Sequence, residues 1–378
     1  MRPIRPPRAP VPRRRFVAPG GRSRATVYDP AQLGSSEQDK DVGTIKDVAR
    51  LAGVGVATAS RVISGKGPFS ADSASRVQAA IEQLDFRPSR IARALSMKST
   101  NAIGVYVPDF KGPFYGPMLH AIDLELRALD RHMVIANGHG GEDVREQALN
   151  GIEFLMDRQC EGMLLTTYAL RDADILTLKR RFPNLAVVNR DVKGMRSQCF
   201  TVDHKAGGAL AARTLLEHGH RRIAVIAGPS GAPDNRLRLQ GFFDTLAAAG
   251  IAREAVPTMT GDFAAESGWA GTEQLLADKA RFTAMFCCND QMAMGAMARL
   301  QASGLTIPGD VSVIGYDDTD IAAWLSPRLT SIRIAVGDMG LNACRLLSNL
   351  CFQTELPVSR EFEPELILRD SVAKPKKA

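Results

Sequence analysis

The sequence predicts an α/β protein in which a small N-terminal helical domain precedes a larger body of two doubly wound parallel sheets. Residues 44–95 carry short amphipathic helices separated by Gly turns, whereas residues 101–372 alternate apolar strands with amphipathic helices. Charge divides the chain in the same way. Lys and Arg outnumber Asp and Glu by nine to four in residues 1–43 and again in 44–100, but number 30 against 33 in 101–378. A polyanion is therefore expected to bind at the N-terminal end.

Composition and cysteine usage exclude several classes of protein. The 378 residues are 45% hydrophobic and 24% charged, as in ordinary globular chains. The six cysteines form no CxxC pair and no framework spacing, so we expect reduced, buried thiols. No run approaches the roughly 18 consecutive apolar residues that span a bilayer, and the N-terminus lacks the apolar core of a secretory signal. We therefore expect a cytoplasmic protein with no membrane partner.

Residues 1–43 are expected to be disordered, because they combine eight arginines with many prolines and glycines and cannot bury a core. The interpretation that we favour is an inert tail or a misassigned start codon. The alternative is a basic arm that raises non-specific affinity for DNA.

Two short helices about a tight turn are predicted at the start of the N-terminal domain. Thr44 and Asp47 form a capping-box-like start, and apolar residues recur at helical spacing until Gly53, which permits the positive φ that ends the helix. A second helix follows at once, and such a pair makes a helix-turn-helix. A third helix begins after a Ser70 cap and completes a three-helix domain over residues 44–86.

In a helix-turn-helix the second helix lies in the major groove, so its outward side chains contact base edges. We expect base contacts from Val56, Ala57 and Arg61, since a guanidinium suits guanine and small apolar groups suit a thymine methyl. Phosphate contacts are expected from side chains with suitable reach and chemistry, namely Thr44, Lys46, Arg50, Thr58, Ser60 and Lys66. The alternative is an ordinary helical hairpin whose cationic face is merely solvated.

Residues 87–100 are predicted to form a hinge. Arg87-Pro88 breaks the third helix, and the following sequence SRIARAL offers a cap and one further short helix. A helix of this length is marginal in water on its own, so it requires a partner.

Seven strands and six helices are predicted after residue 101, and their alternation predicts two lobes. The strands are Ala102–Val107, Met133–Ala136, Gly162–Thr166, Ala186–Asn189, Arg222–Ala227, Ala284–Cys288 and Val311–Tyr316. The helices are Tyr115–Leu129, Glu142–Arg158, Lys205–His218, Leu237–Ala249, Ala264–Ala277 and Gln291–Ser303. We place the first lobe at about 101–200 plus 336–356, the second at about 201–332 plus 357–372, and a tail at 373–378.

A ligand cleft is expected between the lobes, because open parallel sheets bind ligands at the carboxyl ends of their strands. Two strands end in the Pro- and Gly-rich loops VPDFKGPFYGPM and IAGPSGAPDNR. Aromatic walls and directional hydrogen bonds suit a sugar, and they are offered by Phe114, Tyr115, Arg238, Asn289, Asp290 and Asp317. Alternatively, Phe114 is a core residue, and Arg238 and Asp317 belong to a structural ion pair.

Two series of motifs resemble one known family. TIKDVA, ATASRVI and RPSRIARAL stand at the front, and GHRRIAVIAGP, RLRLQGF, GDFAAESGW, NDQMAMGAM, DVSVIGYDD and PRLTSIR follow. In this order they resemble the LacI/GalR family of bacterial transcription regulators, from Thr44 to about Val372. The resemblance implies a headpiece, a hinge and a two-lobed periplasmic-binding-protein-like body in a homodimer that binds a near-palindromic operator. The sequence departs from the family at Gly55, usually a capping serine, and at Ala59, usually valine, so we expect a slightly less stable recognition helix.

The resemblance also implies individual roles. Paired hinge helices would place Ser89, Arg90, Ala94 and Leu95 in the minor groove, with the leucine as the wedge that kinks the DNA. Carried over by position, the effector contacts are Phe114, Tyr115, Asn189, Arg190, Asp234, Arg238, Phe263, Asn289 and Asp317. Ile334 stands where family members often have glutamine, so we expect one polar contact to be missing and Asp234 to substitute for it.

The expected function is a repressor of carbohydrate-utilisation genes that a small sugar or sugar acid controls allosterically. Alternatives are a purine- or other metabolite-responsive regulator of the same family and a sugar-binding protein without a DNA role. No GxGxxG after a strand, Walker, GxSxG or HExxH motif is present, so we expect neither an enzyme nor a cofactor. His218 and His220 are interpreted as a polar helix end and not as a metal site. The polar C-terminal tail is too short for a leucine heptad, so a dimer is expected instead of a tetramer.

Overall fold

The computed structural model describes residues 44–65, 67–86, 100–138 and 143–376, and the chain divides into two compact units, Met1–Arg93 and Ala94–Ala378. The helices are α1 (Ile45–Leu51), α2 (Val56–Ser64), α3 (Ala71–Gln83), α4 (Tyr115–Ala128), α5 (Val144–Asp157), α6 (Asp172–Arg181), α7 (His204–Glu217), α8 (Pro233–Ala248), α9 (Ala265–Ala277), α10 (Asp290–Ala302) and α11 (Val336–Phe352). The strands are β1 (Ala102–Val107), β2 (His132–Asn137), β3 (Gly162–Leu165), β4 (Leu185–Val188), β5 (Cys199–Phe200), β6 (Ile223–Ala227), β7 (Thr258–Thr260), β8 (Ala284–Cys287), β9 (Ser312–Asp317), β10 (Thr330–Arg333) and β11 (Glu365–Ile367).

The N-terminal unit contains the three-helix domain that the sequence predicts. Thr44 and Asp47 form a capping box at α1, in which the Asp47 carboxylate accepts from the Thr44 N–H at 2.9 Å. Ser70 caps α3 by accepting from the Ser73 N–H at 3.2 Å. The helices bury a core of small side chains, formed by Val48, Ala49, Ala52, Ala59, Val77 and Ala80. Local capping signals and apolar spacing therefore suffice to explain this domain.

Helix α2 lacks a side-chain cap. Gly55 precedes it in an extended conformation and contributes no side-chain hydrogen bond, as the resemblance predicts. The helix ends at Gly65, whose φ of 69° is left-handed and whose N–H donates to the Val62 carbonyl oxygen. Ala59 lies fully buried on its inner face. The helix is therefore held by packing and by its C-terminal cap.

The first lobe is built on a five-stranded parallel sheet in the order β2-β1-β3-β4-β5. Strands β1, β3 and β4 are buried along their whole length, which is typical of a parallel sheet with both faces covered. Helices α4, α5 and α6 lie between its strands in sequence. Helix α11 comes from the C-terminal part of the chain and packs on α4, β3 and β4.

The second lobe is built on a six-stranded sheet in the order β11-β10-β9-β8-β6-β7. Strand β11 pairs antiparallel with β10, and the other pairs are parallel. The chain enters this lobe between β5 and α7, leaves it after β10 for α11, and returns at β11. Both sheets therefore have the doubly wound character that the sequence predicts.

Helix α8 begins four residues earlier than the sequence predicts. We expected Pro233 to belong to a loop and the helix to begin at Leu237. In the structure Pro233 occupies the first helical turn, where its fixed φ is favourable. Its lack of an N–H costs no hydrogen bond there, because N–H groups of the first turn have no acceptor within the helix. Asp234 and Arg238 consequently lie one turn apart on the same helix.

Sequence reasoning also missed four short strands and two helices. Strands β5, β7, β10 and β11 have two to four residues, too few to show a hydrophobic period. Helices α6 and α11 were not predicted as helices. The other predicted elements that lie within the described residues agree with the structure to within one or two residues at each end, and the predicted hinge helix lies outside those residues.

Two helix pairs of the second lobe pack with their backbones almost in contact. A Cβ atom on Gly208 of α7 would lie 1.8 Å from the Arg238 carbonyl oxygen of α8. One on Gly241 of α8 would lie 1.8 Å from the Lys205 carbonyl oxygen of α7. Two glycines make the corresponding contacts between α9 and α10. Only glycine permits this approach, which fixes the helices that carry residues of the site described below.

Five of the six cysteines and the ring of His220 are buried, whereas His218 is half-buried. All six thiols are free, and all but Cys351 are buried. His218 ends α7, and the ring of His220 is buried with Nε2 2.8 Å from the Ala373 carbonyl oxygen. This agrees with a polar helix end before a strand. Of the helices described, none combines the length and apolar character required to span a membrane.

Candidate functional site

One cavity lies at the carboxyl ends of strands from both lobes and encloses about 140 Å³. The first lobe contributes the loops that follow β1, β3 and β4, and the second contributes residues that follow β6, β7, β8 and β9. This is the edge at which open parallel sheets bind ligands. All nine side chains that the resemblance predicts to contact an effector line it: Phe114, Tyr115, Asn189, Arg190, Asp234, Arg238, Phe263, Asn289 and Asp317. Their binding role stays a prediction. Asp290, which its chemistry also suggested, does not line the cavity, because its buried carboxylate accepts from Thr319 and Ser331.

Arg238 is the most voluminous of the fully buried side chains and is only 2% exposed. Its Nη2 donates to Asp234 Oδ2 at 2.7 Å, and its Nη1 donates to the Cys288 carbonyl oxygen at 2.6 Å. Nη1 also lies 3.7 Å from Asp317 Oδ1. The guanidinium carbon lies 4.1 Å from the centroid of the Tyr316 ring. Arg238 is thereby held between two carboxylates that themselves line the cavity.

His204 contacts Arg238 at the point where the chain enters the second lobe. Its Nδ1 lies 3.1 Å from the Tyr316 hydroxyl and 3.5 Å from Arg238 Nε. Because a guanidinium only donates, Nδ1 is the acceptor, and the ring proton is assigned to Nε2, which is buried without a hydrogen-bond partner. Burial, reinforced by the Arg238 charge, lowers the pKa of His204 to about 3. The ring is therefore neutral.

Three cavity residues hold backbone conformations that L-residues rarely adopt. The φ angle is 65° at Asn189, 74° at Phe263 and 103° at Asp317. Such conformations cost roughly 1–3 kcal/mol each and concentrate at ligand sites. Asn189 Oδ1 and Asp317 Oδ1 are also buried without a hydrogen-bond partner. Strained backbone and unpartnered oxygen atoms thus coincide around one cavity.

Arg190 lines the cavity, but most of its N–H groups donate to other groups of the protein. Its Nη1 donates to the carbonyl oxygens of Thr167 and Leu170, at 3.3 and 2.8 Å. Its Nη2 pairs with Asp172. The guanidinium therefore fixes the loop between β3 and α6, and Nε is left buried without a partner.

The side chain of Asn289 also forms hydrogen bonds with backbone groups of the protein. Its Oδ1 accepts from the Met292 N–H at 2.9 Å and so caps α10. Its Nδ2 donates to the Phe263 carbonyl oxygen at 2.9 Å. Asn289 therefore connects two cavity-lining segments of the second lobe, and only its remaining N–H is available to a ligand.

Aromatic side chains form two walls of the cavity. Phe114 and Tyr115 pack edge to face, with ring centroids 5.0 Å apart. Tyr168 of the first lobe packs edge to face on Phe263 of the second, at 6.4 Å. Aromatic contact therefore links the lobes beside the buried charges.

The lobes also touch through the loop after β1. Gly112 has a φ of 76°, and a Cβ atom there would lie 2.3 Å from Gln291 Nε2 of α10. In the same loop Lys111 faces Asp262. Burial raises the pKa of Asp262, but hydrogen bonds and the Lys111 charge outweigh it and lower that pKa overall. The cavity is accordingly bridged at its rim.

Sequence reasoning missed several lining residues, chiefly Lys111, Tyr168, Asp262 and Gln291. Tyr168 could have been found, because it follows a predicted strand at the ligand-binding edge. Ile334, by contrast, is 3% exposed, packs in the hydrophobic core and is absent from the lining. It supplies no polar contact, and Asp234 does line the cavity.

The predicted DNA-contacting residues form part of the surface of the three-helix domain. Lys46, Val56 and Ala57 are exposed, and Thr58, Ser60 and Arg61 are half-buried. Thr44 is exposed too, but its hydroxyl donates to Asp47 Oδ2 at 2.6 Å. The hinge residues, the N-terminal arm and one basic residue fall outside the described residues, namely residues 1–43, Lys66, Ser89, Arg90, Ala94 and Leu95.

Arg61 folds back onto its own helix. Its Nε and Nη2 approach the Ala57 carbonyl oxygen and the Thr58 hydroxyl, at 3.2 and 3.4 Å. Its Nη1 donates to the Pro68 carbonyl oxygen at 3.2 Å. A base contact would require the guanidinium to exchange these bonds.

Two family models match the sequence of this chain. The model of bacterial regulatory proteins of the lacI family matches residues 44–89, and the model of the periplasmic binding protein-like domain matches residues 212–372. The HTH-type transcriptional regulator GalR of Escherichia coli is 36% identical over 335 residues, which are 88% of this chain and 97% of GalR. The chain belongs to the LacI family. It is therefore a DNA-binding transcriptional regulator.

Solved structures of LacI-family proteins agree with this assignment. A regulator of the family from Burkholderia phymatum is 48% identical, with a TM-score of 0.71, over 72% of this chain and 99% of that one. The lac repressor dimer bound to operator and the anti-inducer ONPF is 28% identical, with a TM-score of 0.76, over 88% of this chain and 99% of that one. The second match includes the N-terminal domain as well as both lobes.

Proposed function

We propose that this LacI-family protein is a homodimeric repressor of carbohydrate-utilisation genes. A small sugar that binds in the cavity between the lobes either releases the repressor from its operator or holds it there. The single observation that carries the proposal is the cavity itself. It joins aromatic walls to buried polar groups, and the elements that line it come from both lobes. A ligand there can favour one relative pose of the lobes over another.

The DNA-binding half of the proposal rests on the three-helix domain. Val56, Ala57 and Arg61 share helix α2, which enters the major groove in helix-turn-helix proteins. Lys46 is exposed on α1 and has the charge to neutralise a phosphate. Two such domains on one dimer would match a near-palindromic operator, as in the lac repressor dimer bound to operator.

The regulatory half rests on differential affinity. Asn189 belongs to the first lobe and Asp234 to the second, and their side chains are 3.5 Å apart. A ligand that bonds to both stabilises the pose in which they are close and thereby sets the separation of the two hinge segments. The coupling is reciprocal, so operator DNA must change sugar affinity by the same factor.

A gel shift tests the proposal directly. The purified full chain is incubated with DNA from its own upstream region, with and without a panel of sugars, and with unrelated DNA as control. We expect a specific complex at low protein concentration and a change in its affinity with at least one sugar. Absence of specific binding under every condition contradicts the DNA-binding half, and binding that no small molecule alters contradicts the regulatory half.

A further inference from the structure

The positive charges of the cavity are already neutralised by the protein. Arg238 donates from Nε to His204, from Nη1 to Cys288 and from Nη2 to Asp234, and it forms an ion pair with Asp317 at 3.7 Å. Of its five N–H groups, one on Nη1 and one on Nη2 make no hydrogen bond with the protein. Lys111, another cation of the lining, is exposed at the rim and faces Asp262.

Arg190, although it lines the cavity, is not an anion site either. It pairs with Asp172 and donates twice to backbone carbonyl oxygens. An incoming carboxylate or phosphate would have to compete with Asp172 for the charge of this guanidinium. Of its five N–H groups, the one on the buried Nε and one on Nη2 make no hydrogen bond with the protein.

Among the acidic and amide groups of the cavity, several acceptors remain available. Asp109, Asp234, Asp262 and Asp317 all line the cavity. Asn189 Oδ1 and Asp317 Oδ1 are buried without a partner. Burial raises the pKa of Asp317 while Arg238 opposes it, and in neither protonation state does the group add positive charge. A ligand that satisfies these acceptors must bring donors, which hydroxyl groups do and ionised carboxylates and phosphates do not.

Size restricts the ligand further. The cavity encloses about 140 Å³. A protein cavity of about 150 Å³ holds one benzene ring. Tyr168 and Phe263 pack against each other across the lobes and form an aromatic wall of this space. One six-membered ring fits, whereas two linked rings require the lobes to separate.

We propose that the cavity selects an uncharged monosaccharide, or a polyol of that size, against sugar acids, sugar phosphates, disaccharides and purines. This rests on the proposed function, since it names the chemistry of the same effector. The acceptor oxygens of Asp234 and Asp317 accept from the sugar hydroxyls, the negative charge of Asp234 repels an anion, and Arg238 donates its remaining N–H groups. Selection is by the charge of Asp234 and by the acceptors of both residues, with the aromatic walls limiting size.

Titration calorimetry on the full chain tests this. The probes are galactose, glucose, ribose and arabinose, paired with galactonate, gluconate and ribose 5-phosphate, together with cellobiose and hypoxanthine. We expect at least one uncharged monosaccharide to bind, and to bind at least tenfold more tightly than its paired anion. Tighter binding of any anion, of cellobiose or of hypoxanthine, or binding by none of the monosaccharides, overturns the inference.

Two variants test the cause of the selectivity. Asp234→Asn removes one repelling charge at nearly constant shape, so the preference for the neutral sugar over its paired anion should fall at least threefold. Asp244→Asn is the matched control, because Asp244 is an exposed residue of the same helix that pairs with Lys205 outside the cavity. If Asp234→Asn leaves the preference for the neutral sugar over its paired anion unchanged, the charge of this carboxylate is not the cause of the selectivity.

Should Asp234→Asn fail to fold, Asp262→Asn changes an exposed carboxylate at the rim and should reduce the preference in the same direction. Operator binding is measured in parallel by gel shift, with and without the sugar. Its absence from the unmodified protein under both conditions contradicts the proposed function, whereas a reversed ligand preference with intact operator binding contradicts only the inference about charge.

Discussion

The Asn189 amide nitrogen of the first lobe lies 3.5 Å from the Asp234 carboxylate of the second. Asp234 also holds Arg238 at 2.7 Å, so a contact between lobes connects directly to the buried charge network. Asn189 itself has a φ of 65° and leaves its Oδ1 without a partner. Movement of the lobes must therefore rearrange the groups that face the cavity, which is the physical coupling that a ligand-controlled regulator requires.

Gly112→Ala should weaken binding of the effector. The added Cβ would lie 2.3 Å from Gln291 Nε2, and the φ of 76° disfavours alanine, so the rim contact between the lobes is disturbed. We expect a loss of about 1 kcal/mol, or roughly fivefold in Kd, by calorimetry. Gly116→Ala is the control, since no atom lies within 4 Å of a Cβ there. Combining Gly112→Ala with Gln291→Ala should restore part of the affinity, and no restoration would argue against the contact.

Gly208→Ala should destabilise the second lobe. Its Cβ would lie 1.8 Å from the Arg238 carbonyl oxygen, a backbone atom that cannot rotate away, so α7 and α8 must separate. Overpacking of this kind costs about 1–3 kcal/mol. Urea denaturation measures the effect, with Gly231→Ala as a control at a position whose surroundings are open. Equal midpoints for the two variants would contradict the proposed role of this close approach.

His204 should make the fold sensitive to acid. Burial and the Arg238 charge lower its pKa to about 3 in the folded chain, against an ordinary value of 6.5. Below pH 6.5 the His204 ring binds a proton in the unfolded chain but not in the folded chain, so the free energy of unfolding falls as the pH falls. The His204 contribution to this loss at pH 5 is about 2 kcal/mol relative to neutral pH.

Urea denaturation of the parent and of His204→Gln at pH 7 and pH 5 measures that contribution. The fall in the free energy of unfolding between the two pH values should be smaller in the variant by about 2 kcal/mol. His120→Gln changes an exposed histidine and should leave the fall as it is. The same pH dependence in parent and His204→Gln would show that this ring does not titrate on unfolding.

Arg61→Ala should relax the choice of operator sequence while sparing effector affinity. A bidentate contact of arginine with guanine contributes about 1–3 kcal/mol of discrimination. Gel shifts with the operator and with single-base variants measure it, and calorimetry with the sugar checks the cavity. An equal loss on every DNA sequence would mean that Arg61 contacts only phosphate.

Much of the fold was predictable because its signals are local. The Thr44 and Ser70 caps, the Gly turns and the apolar spacing defined all three N-terminal helices. Buried parallel strands such as β1 were evident as apolar runs of the right length. Edge strands such as β7 were not, because three residues show no period and their pairing partner is distant in sequence.

Many of the residues that line the site were predictable, but the hydrogen-bond partners of their side chains were not. The resemblance placed nine residues around one cavity, and all nine line it. It did not indicate that Arg190 is tied to Asp172 and two backbone carbonyls, or that Asn289 caps a helix. These partners come from other segments of the chain, so no local pattern reports them.

The sequence by itself determined the family, the three-helix domain, the alternation that makes two parallel sheets, and nine of the residues that surround the cavity. Each depends on the order of side chains over a few turns or strands, which the sequence states directly. Only the tertiary structure decided which charges are free. It placed Arg238 between Asp234 and Asp317, left acceptor oxygens unpartnered, and brought Gly112 against Gln291, because desolvation and distance depend on residues that folding alone makes neighbours.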